Sequence, residues 1–285
     1  MTEIEKRAEF LLEAMPYIEK YQNKILVIKY GGSAMLGDDA KIAVMRDLTL
    51  LRCVGVKVVL VHGGGPEISE TLSRMGVESK FIGGLRYTDE ETAEVVRMVL
   101  AGKVNKALVH ILESMGAKSV GLSGIDGGLL LCEKQDEKLG YVGKITRTNP
   151  QLILDCLEKG YMPVISTVGY DDDGAIYNVN ADSAASSIAG ALQAESLILM
   201  TDVKGLLKDK NDENSLIKKV CVSDIDSLVR EGIISGGMIP KINFCKEAIR
   251  RGVNRVFITD GRVKHSILLE LLSDEGMGTM FVKGD

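Results

Sequence analysis

The chain has little that marks several common functional classes. It has no basic run and a net charge of −5, which argues against a domain that binds nucleic acid by neutralising phosphates. No apolar stretch reaches the ~20 residues of a membrane helix. Its five cysteines (Cys53, Cys132, Cys156, Cys221, Cys245) are scattered and never paired at metal spacing. Neither a disulfide framework nor a metal site is expected, and a reducing, cytoplasmic setting fits. The N-terminus interleaves acids and bases with apolar residues, unlike the basic, apolar, small order of a signal peptide. The Gly-x-x-x-x-Gly-Lys-Ser/Thr loop, the Gly-x-Gly-x-x-Gly fingerprint and the His-Arg-Asp loop are all absent. No obvious general base is present either.

What is there reads as an α/β protein. A length of 285 residues with 45% hydrophobic content allows one large α/β domain or two lobes. Thr2 to Asn23 carries apolar residues at three- and four-residue spacing, an amphipathic helix that Pro16 should kink or split in two. Its apolar face must cover its own domain or another subunit. Ile25 to Tyr30 is a β-branched run that carries Lys29 into Gly31-Gly32-Ser33. Glycines after a strand let backbone N–H groups face an anion, and the lysine adds charge. Asp38 to Val54 reads as a helix and Val56 to His62 as the next buried strand, making a right-handed βαβ unit. This strand ends in Gly63-Gly64-Gly65-Pro66, so two glycine clusters should be neighbours at the carboxyl edge of a parallel sheet, where ligands bind. His62 reads as a structural hydrogen-bonder more readily than as a catalytic base.

Arg86 follows Gly83-Gly84 and is placed to grip a carboxylate with its planar fork. Thr88 and Glu91 suggest a capping box for a helical region running to Ser114. Strands are predicted at Ser119 to Ser123, Leu129 to Glu133, Tyr141 to Ile145 and Met162 to Tyr170, and Asp171 to Gly174 reads as an acidic hairpin turn. Period two puts Asn178, Asn180 and Asp182 on one face of an extended segment, although Asp182 alone could be the N-cap of the alanine-rich helix that follows. Ser196 to Asp202 is a further buried strand, and the polar loop Lys208 to Asn214 after it is a candidate lid. Pro240 opens a helix that sets Lys241 at an N-terminus suited to anions. Two lysines beside glycine turns, an arginine and an Asn/Asp cluster suit phosphoryl transfer, in which catalysis is mostly positioning and charge neutralisation. A carboxylate nucleophile, ionised at pH 7, needs no base.

In order and spacing, Ile28-Lys-Tyr-Gly-Gly-Ser33, His62-Gly-Gly-Gly65, Gly84-Leu-Arg86, Asn178-Val-Asn-Ala-Asp182, Thr201-Asp-Val203 and Gly236-Gly-Met-Ile-Pro-Lys241 closely resemble the acetylglutamate kinases of the amino acid kinase family. The match runs from about Lys24 to the C-terminus. The resemblance implies a three-layer αβα sandwich with a mostly parallel central sheet and two lobes. Residues 1–23 would be an oligomerisation helix, residues 24–193 an N-lobe for acetylglutamate and dimerisation, and residues 194–285 a C-lobe for ATP. The implied activity is the second step of arginine biosynthesis, with Mg2+ arriving on ATP. Lys29 and Lys241 would stabilise the moving phosphoryl group and Asp182 would hold both. Gly64, Gly65, Arg86, Asn178 and Asn180 would bind substrate. Gly31, Gly32, Thr201, Asp202, Gly205, Leu206, Lys208, Gly237 and Met238 would lie along ATP. The departure from the family pattern is Gly83, where asparagine is expected, which leaves the rigidity of that loop open.

Arginine-inhibited members resemble this chain in their kinked N-terminal helix, which links three dimers into a hexamer, and in a C-terminal Gly-x-Gly-Thr-Met like Gly276 to Met280. This implies arginine as an inhibitor bound near Tyr21, His265, Glu270, Gly276 and Gly278, with a PII signalling protein as a further possible partner. Two rival readings remain open: another carboxylate or carbamate kinase of the family, and a non-catalytic arginine sensor.

Overall fold

Ile25–Tyr30 (β1) and Lys57–His62 (β2) pair in parallel along their whole length, and the rest of the chain is laid against this pair. The computed structural model describes residues 3–32, 37–209, 211–273 and 276–284. Thr2, Ser33 and Lys210, on which parts of the reading above fall, lie outside the described residues.

Helix α1 (Glu3–Tyr21) precedes β1, and α2 (Asp38–Cys53) connects β1 to β2. The glycine triplet opens α3 (Gly65–Arg74), and a short hairpin of β3 (Phe81–Ile82) and β4 (Leu85–Arg86) follows. A long helical rod comes next, made of α4 (Glu90–Arg97), a π-helical segment (Met98–Val104) and α5 (Asn105–Ser114). Then come β5 (Ser119–Ser123), β6 (Leu130–Lys134), β7 (Val142–Thr148), α6 (Gln151–Glu158), β8 (Met162–Ser166), β9 (Val168–Tyr170), β10 (Ile176–Val179) and α7 (Ala181–Ala191). The last part contains β11 (Ser196–Thr201), β12 (Lys219–Cys221), α8 (Ile225–Arg230), α9 (Met238–Arg250), β13 (Arg255–Asp260), α10 (Ser266–Leu271) and β14 (Thr279–Val282).

Eight strands form the central sheet in the order β12-β14-β13-β11-β1-β2-β8-β5. The sheet is parallel except at the β13–β14 boundary, so β14 and β12 run against the other six strands. Strand alternation sorts the core into two layers. Leu26, Ile28 and Tyr30 pack with α2, α3, the rod and α10, whereas Val27 packs with α6, α7 and α9 on the other face. Each such buried side chain contributes about 1.5–3 kcal/mol. Lys29 shares the face of Val27 and so looks toward α7. This is the expected αβα sandwich. No helix among the described residues is long and apolar enough to cross a membrane.

The sequence reading misses a closed barrel of β10, β7, β6 and β9 beside the sheet. Met162 to Tyr170, read as one strand, is two: β8 stays in the central sheet and, after the buried Thr167, β9 enters the barrel. Both halves are buried, so no change of pattern marks the hand-over. Pro16 does not divide the N-terminal helix, which runs as one element through it. The carbonyl released by the proline belongs to Leu12, which is exposed and open to water. The cap of α4 is Asp89, which accepts from the Thr92 amide at 2.9 Å, and not Thr88, whose buried hydroxyl instead donates to Arg86 O.

Candidate active site

Because Tyr30 pairs with His62, the glycines that follow each strand lie side by side at the carboxyl edge of the sheet, and Gly63 N donates to Tyr30 O at 3.1 Å. They wall a cavity of about 300 Å³ that is also lined by Lys29, Phe81, Arg86, Leu100, Val142, Thr167, Asn178 and Asn180.

Lys29 Nζ lies 3.0 Å from Asp182 Oδ1, with both side chains almost buried. Such a pair is weak evidence for stability, because desolvation offsets most of the attraction; its position on a cavity wall speaks for chemistry. Asp182 sits in the first turn of α7, where the helix dipole favours a carboxylate. A Cβ on Gly31 would come within 3.3 Å of Lys29 Cε and 3.5 Å of both Lys29 Nζ and Gly63 N, so any side chain there would stand between the ammonium and the glycine triplet.

Arg86 is 8% exposed and has no carboxylate partner among the described residues. Its guanidinium donates to Ser79 Oγ at 2.7 Å, Ser69 Oγ at 2.8 Å and Gly65 O at 3.0 Å and stacks on Phe81, 4.8 Å from the ring centroid. Burial lowers its pKa. A cation fixed on neutral partners in a cavity is matched to an anionic ligand. Ser69 and Ser79, which aim it, were not visible in the sequence, because they join Arg86 only through the fold.

The hairpin that carries Arg86 turns on Gly83 (φ 59°) and Gly84 (φ 83°), a type I′ pattern in which asparagine or glycine is favoured at the first position. This accounts for the departure at residue 83. A Cβ there would meet nothing, so Gly83→Asn is expected to stabilise the turn by about 0.4–1 kcal/mol. Amide exchange over Phe81 to Arg86 should slow by about two- to fivefold; unchanged or faster exchange would contradict this account.

Asn178, Asn180 and Asp182 do not share a strand face, because β10 ends at Val179. Asn180 is the N-cap of α7, accepting from the Asp182 and Ser183 amides at 3.0 and 3.1 Å, which corrects the assignment of that cap to Asp182. Asn178 remains on the cavity wall and donates to Thr88 Oγ1 at 3.2 Å.

His62 is fully buried and is not among the residues that line this cavity, in keeping with the structural reading; Nδ1 lies 2.8 Å from Gly63 O and Nε2 3.1 Å from Asn105 Nδ2. Burial holds its pKa down at about 4.

Lys241 lies in the first turns of α9, half-buried, and makes no ion pair among the described residues. In this structure Asp182 thus holds Lys29 and not Lys241. The two groups still bear on one buried thiol: burial raises the pKa of Cys245, Asp182 raises it further and Lys241 opposes. Gly237 and Met238 begin the same helix, which has no side-chain cap.

The remaining nucleotide candidates cluster beyond β11 and outside the cavity. Thr201 is buried and its hydroxyl caps the Val203 amide at 3.2 Å, while Asp202 and Lys208 are exposed. Leu206 is a core residue whose amide donates to Thr279 Oγ1 at 2.8 Å, and a Cβ on Gly205 would strike that same oxygen. These two therefore brace the loop, and the Leu206 side chain is buried in the core. On either side of Lys210, Asp209, Asp212 and Ser215 are tied by hydrogen bonds: the Asp209 amide donates to Ser215 Oγ, the Asn214 amide to Asp212 Oδ1 and Ser215 Oγ to Asp212 O.

Of the effector candidates, Tyr21 is a core residue. His265 Nδ1 lies 2.6 Å from Asp47 Oδ1, and burial pushes the Asp47 carboxyl up to about 6 despite that partner. Glu270 accepts from the Met277 and Gly278 amides, both at 2.7 Å, and Gly276 adjoins the same carboxylate. His265 also lines an apolar groove of about 710 Å³ between α1, α2 and α10, with Tyr17, Ile18, Leu50 and Leu268.

A parallel sheet covered on both faces, with glycine turns, a buried lysine–carboxylate pair and an uncompensated arginine at its carboxyl edge, defines an enzyme that handles anionic groups. Residues 24–260 match the model of the amino acid kinase family. The chain is 56% identical to the acetylglutamate kinase of Clostridioides difficile, over 99% of each chain. Among solved structures it resembles N-acetylglutamate synthase from Neisseria gonorrhoeae, complexed with coenzyme A and N-acetyl-glutamate, at a TM-score of 0.84 and 24% identity, covering 98% of this chain and 64% of that longer one. It also resembles Giardia lamblia carbamate kinase bound to AMP-PNP, at a TM-score of 0.68 and 17% identity over 92% of this chain and 99% of that one; these two likenesses concern the fold. The chain belongs to the amino acid kinase family, within it to the acetylglutamate kinases, and is thus a kinase.

Proposed function

We propose that the enzyme transfers the γ-phosphoryl group of ATP to the side-chain carboxylate of N-acetyl-L-glutamate, giving N-acetyl-L-glutamyl 5-phosphate and ADP in arginine biosynthesis. The observation that carries the reading is Arg86, a buried guanidinium without a carboxylate partner, in one cavity with Lys29 and the two glycine turns. Every residue lining that cavity belongs to residues 24–193, which supports acetylglutamate binding in an N-lobe. ATP is assigned to residues 194–285, with the first turn of α9 and the turn after Thr201 facing its phosphates and ribose.

The substrate carboxylate attacks the γ-phosphorus, the bond from phosphorus to the β–γ bridging oxygen breaks, and ADP leaves with the electron pair. The nucleophile is already ionised, so no base is needed. Lys29 and Lys241 neutralise charge on the moving group, Asp182 keeps Lys29 aimed, and the glycine amides receive oxygens. Among the described residues no cluster of His, Cys, Asp or Glu could hold a metal ion. Mg2+ is therefore treated as part of the substrate, held by ATP phosphates and water.

Purified enzyme with Mg-ATP should release ADP when given N-acetyl-L-glutamate and far less with N-acetyl-L-aminoadipate or carbamate. Equal rates with carbamate would favour the nearest rival, and no ADP with any acceptor would favour a non-catalytic arginine sensor.

Arginine is proposed as a feedback inhibitor acting through α1. Leu11, Leu12 and Met15 expose an apolar face that suits contact with another copy in a trimer of dimers, and the groove beneath α1 reaches His265. Deleting residues 1–16, which stops short of the core residue Tyr21, should reduce the particle from hexamer to dimer in sizing and abolish arginine inhibition while kinase activity remains. A hexameric truncated enzyme would overturn the α1 contact. Adding a PII protein to the same sizing runs tests that partner. The enzyme is assigned to the cytoplasm, in keeping with five free cysteines.

A further inference from the structure

Asn105 and His62 are buried, lie off the cavity and belong to separate elements, yet they form a single chain of hydrogen bonds that ends on the glycine triplet. The direction of each bond is fixed by chemistry. Lys106 Nζ donates to Asn105 Oδ1 at 3.1 Å, so Oδ1 is the amide oxygen and Nδ2 the donor. Asn105 Nδ2 faces three acceptors: Val164 O at 2.8 Å, His62 Nε2 at 3.1 Å and Leu122 O at 3.2 Å. His62 Nε2 therefore carries no proton, the proton is on Nδ1, and Nδ1–H donates to Gly63 O at 2.8 Å.

That last bond holds one face of a peptide plane. No cis peptide occurs among the described residues, so the Gly63 carbonyl and the Gly64 N–H point in opposite directions. With the carbonyl tied to the buried imidazole, the Gly64 N–H is turned to the other side. Gly64 is buried and lines the cavity, and its amide has no partner among the described residues. A buried N–H of this kind is costly unless a ligand meets it.

The rod supplies a second constraint. Its π-helical segment ends at Val104, and Asn105 follows at once. A Cβ on Gly64 would come within 2.7 Å of Leu100 Cδ2 and 3.2 Å of Val104 Cγ2. The wide turn thus brings Leu100 and Val104 onto Gly64 from one side while Asn105 reaches His62. Single π turns inside α-helices are frequent at functional sites.

We propose that Asn105 and His62 are positioning residues which, through the Gly63 carbonyl, aim the Gly64 amide at the oxygens of the acceptor carboxylate and the moving phosphoryl group. The inference rests on the kinase reading above. His62 does not touch substrate and transfers no proton.

The test uses full-length enzyme and two independent readouts. In protein labelled with 15N-histidine, which contains three histidines, His62 should be the neutral Nδ1–H tautomer, with and without substrates. An Nε2–H tautomer or an imidazolium would overturn the proposal whatever the activity. In steady-state kinetics with acetylglutamate, His62→Asn, whose amide nitrogen can replace Nδ1 as donor to Gly63 O, should keep at least about a third of wild-type kcat. His62→Leu should lose about 10²-fold in kcat, the scale of one lost transition-state donor, with KM for ATP within about threefold of wild type. Asn105→Leu should lose about 10-fold by the same route. Equal losses in His62→Asn and His62→Leu, or full turnover in His62→Leu, would overturn it. Should His62→Leu fail to fold, Asn105→Leu and the tautomer still decide. A wild-type enzyme inactive on acetylglutamate would instead defeat the kinase reading and leave the tautomer result standing.

Discussion

Replacing Lys29 with methionine should lower kcat by about 10³-fold, at the upper end of what one lost transition-state donor costs, while acetylglutamate still binds. The ammonium is buried on the cavity wall beside Gly31 and the glycine triplet, where Coulombic attraction to a phosphoryl oxygen is little screened. The same change leaves Asp182 as a buried carboxylate without its partner at 3.0 Å, and breaking a buried pair costs about 3–5 kcal/mol. Stability and catalysis therefore fall together in the single variant and must be separated. In Lys29→Met with Asp182→Asn no charge is orphaned, so urea unfolding should recover at least half of the lost stability while kcat stays low. If kcat recovered along with stability, Lys29 would be a structural residue only. Lys241→Met provides a contrast. Lys241 has no ion pair to break among the described residues, so it should lose turnover with little change in unfolding free energy or in KM for acetylglutamate.

The contrast between the lysines marks what the sequence could and could not convey. Lys29 was legible because a β-branched run led it into a glycine pair, and the pairing of Tyr30 with His62 realised the expected meeting of the two glycine clusters. Long apolar runs and amphipathic periods similarly gave α2, α5, α9 and the strands β1, β2, β5, β8 and β11 of the central sheet, whereas the short strands β12 and β14 at one edge went unread. The barrel was hidden. Its strands are short, β8 and β9 follow one another as a nearly continuous buried run, and closure depends on pairings such as Cys132 with Ile145 that local pattern does not encode. The cap role of Asn180 was hidden for a different reason: an amide oxygen serves a ligand and a helix cap equally well, and the end of β10 at Val179 sets Asn180 as the cap of α7 while it still lines the cavity. His62 was read correctly as structural, but its acceptor and donor partners lie at Asn105 and Gly63, and only folding brings Asn105 to it. Arg86 was found by its motif, whereas the serines that aim it came from α3 and from the approach to β3.

Those serines make Arg86→Lys as informative as Arg86→Leu. Of the five N–H donors of a guanidinium, three are taken by Ser79, Ser69 and Gly65, so two remain for a ligand. An ammonium has three donors on one atom and no planar fork, and it cannot keep the three protein bonds and still grip a carboxylate. Both variants should therefore raise KM for acetylglutamate by about 10²-fold, equivalent to about 2.7 kcal/mol, with kcat within a few-fold, because the interaction is present in ground and transition states alike. Leucine also removes a desolvated charge that has no ion-pair partner among the described residues, so Arg86→Leu should be no less stable than wild type by the logic of replaced buried charges. A weaker-binding enzyme that unfolds no earlier would mean that the charge is kept for its ligand and not for the fold. A wild-type KM in Arg86→Lys, or a loss confined to kcat, would show that the substrate carboxylate is held elsewhere.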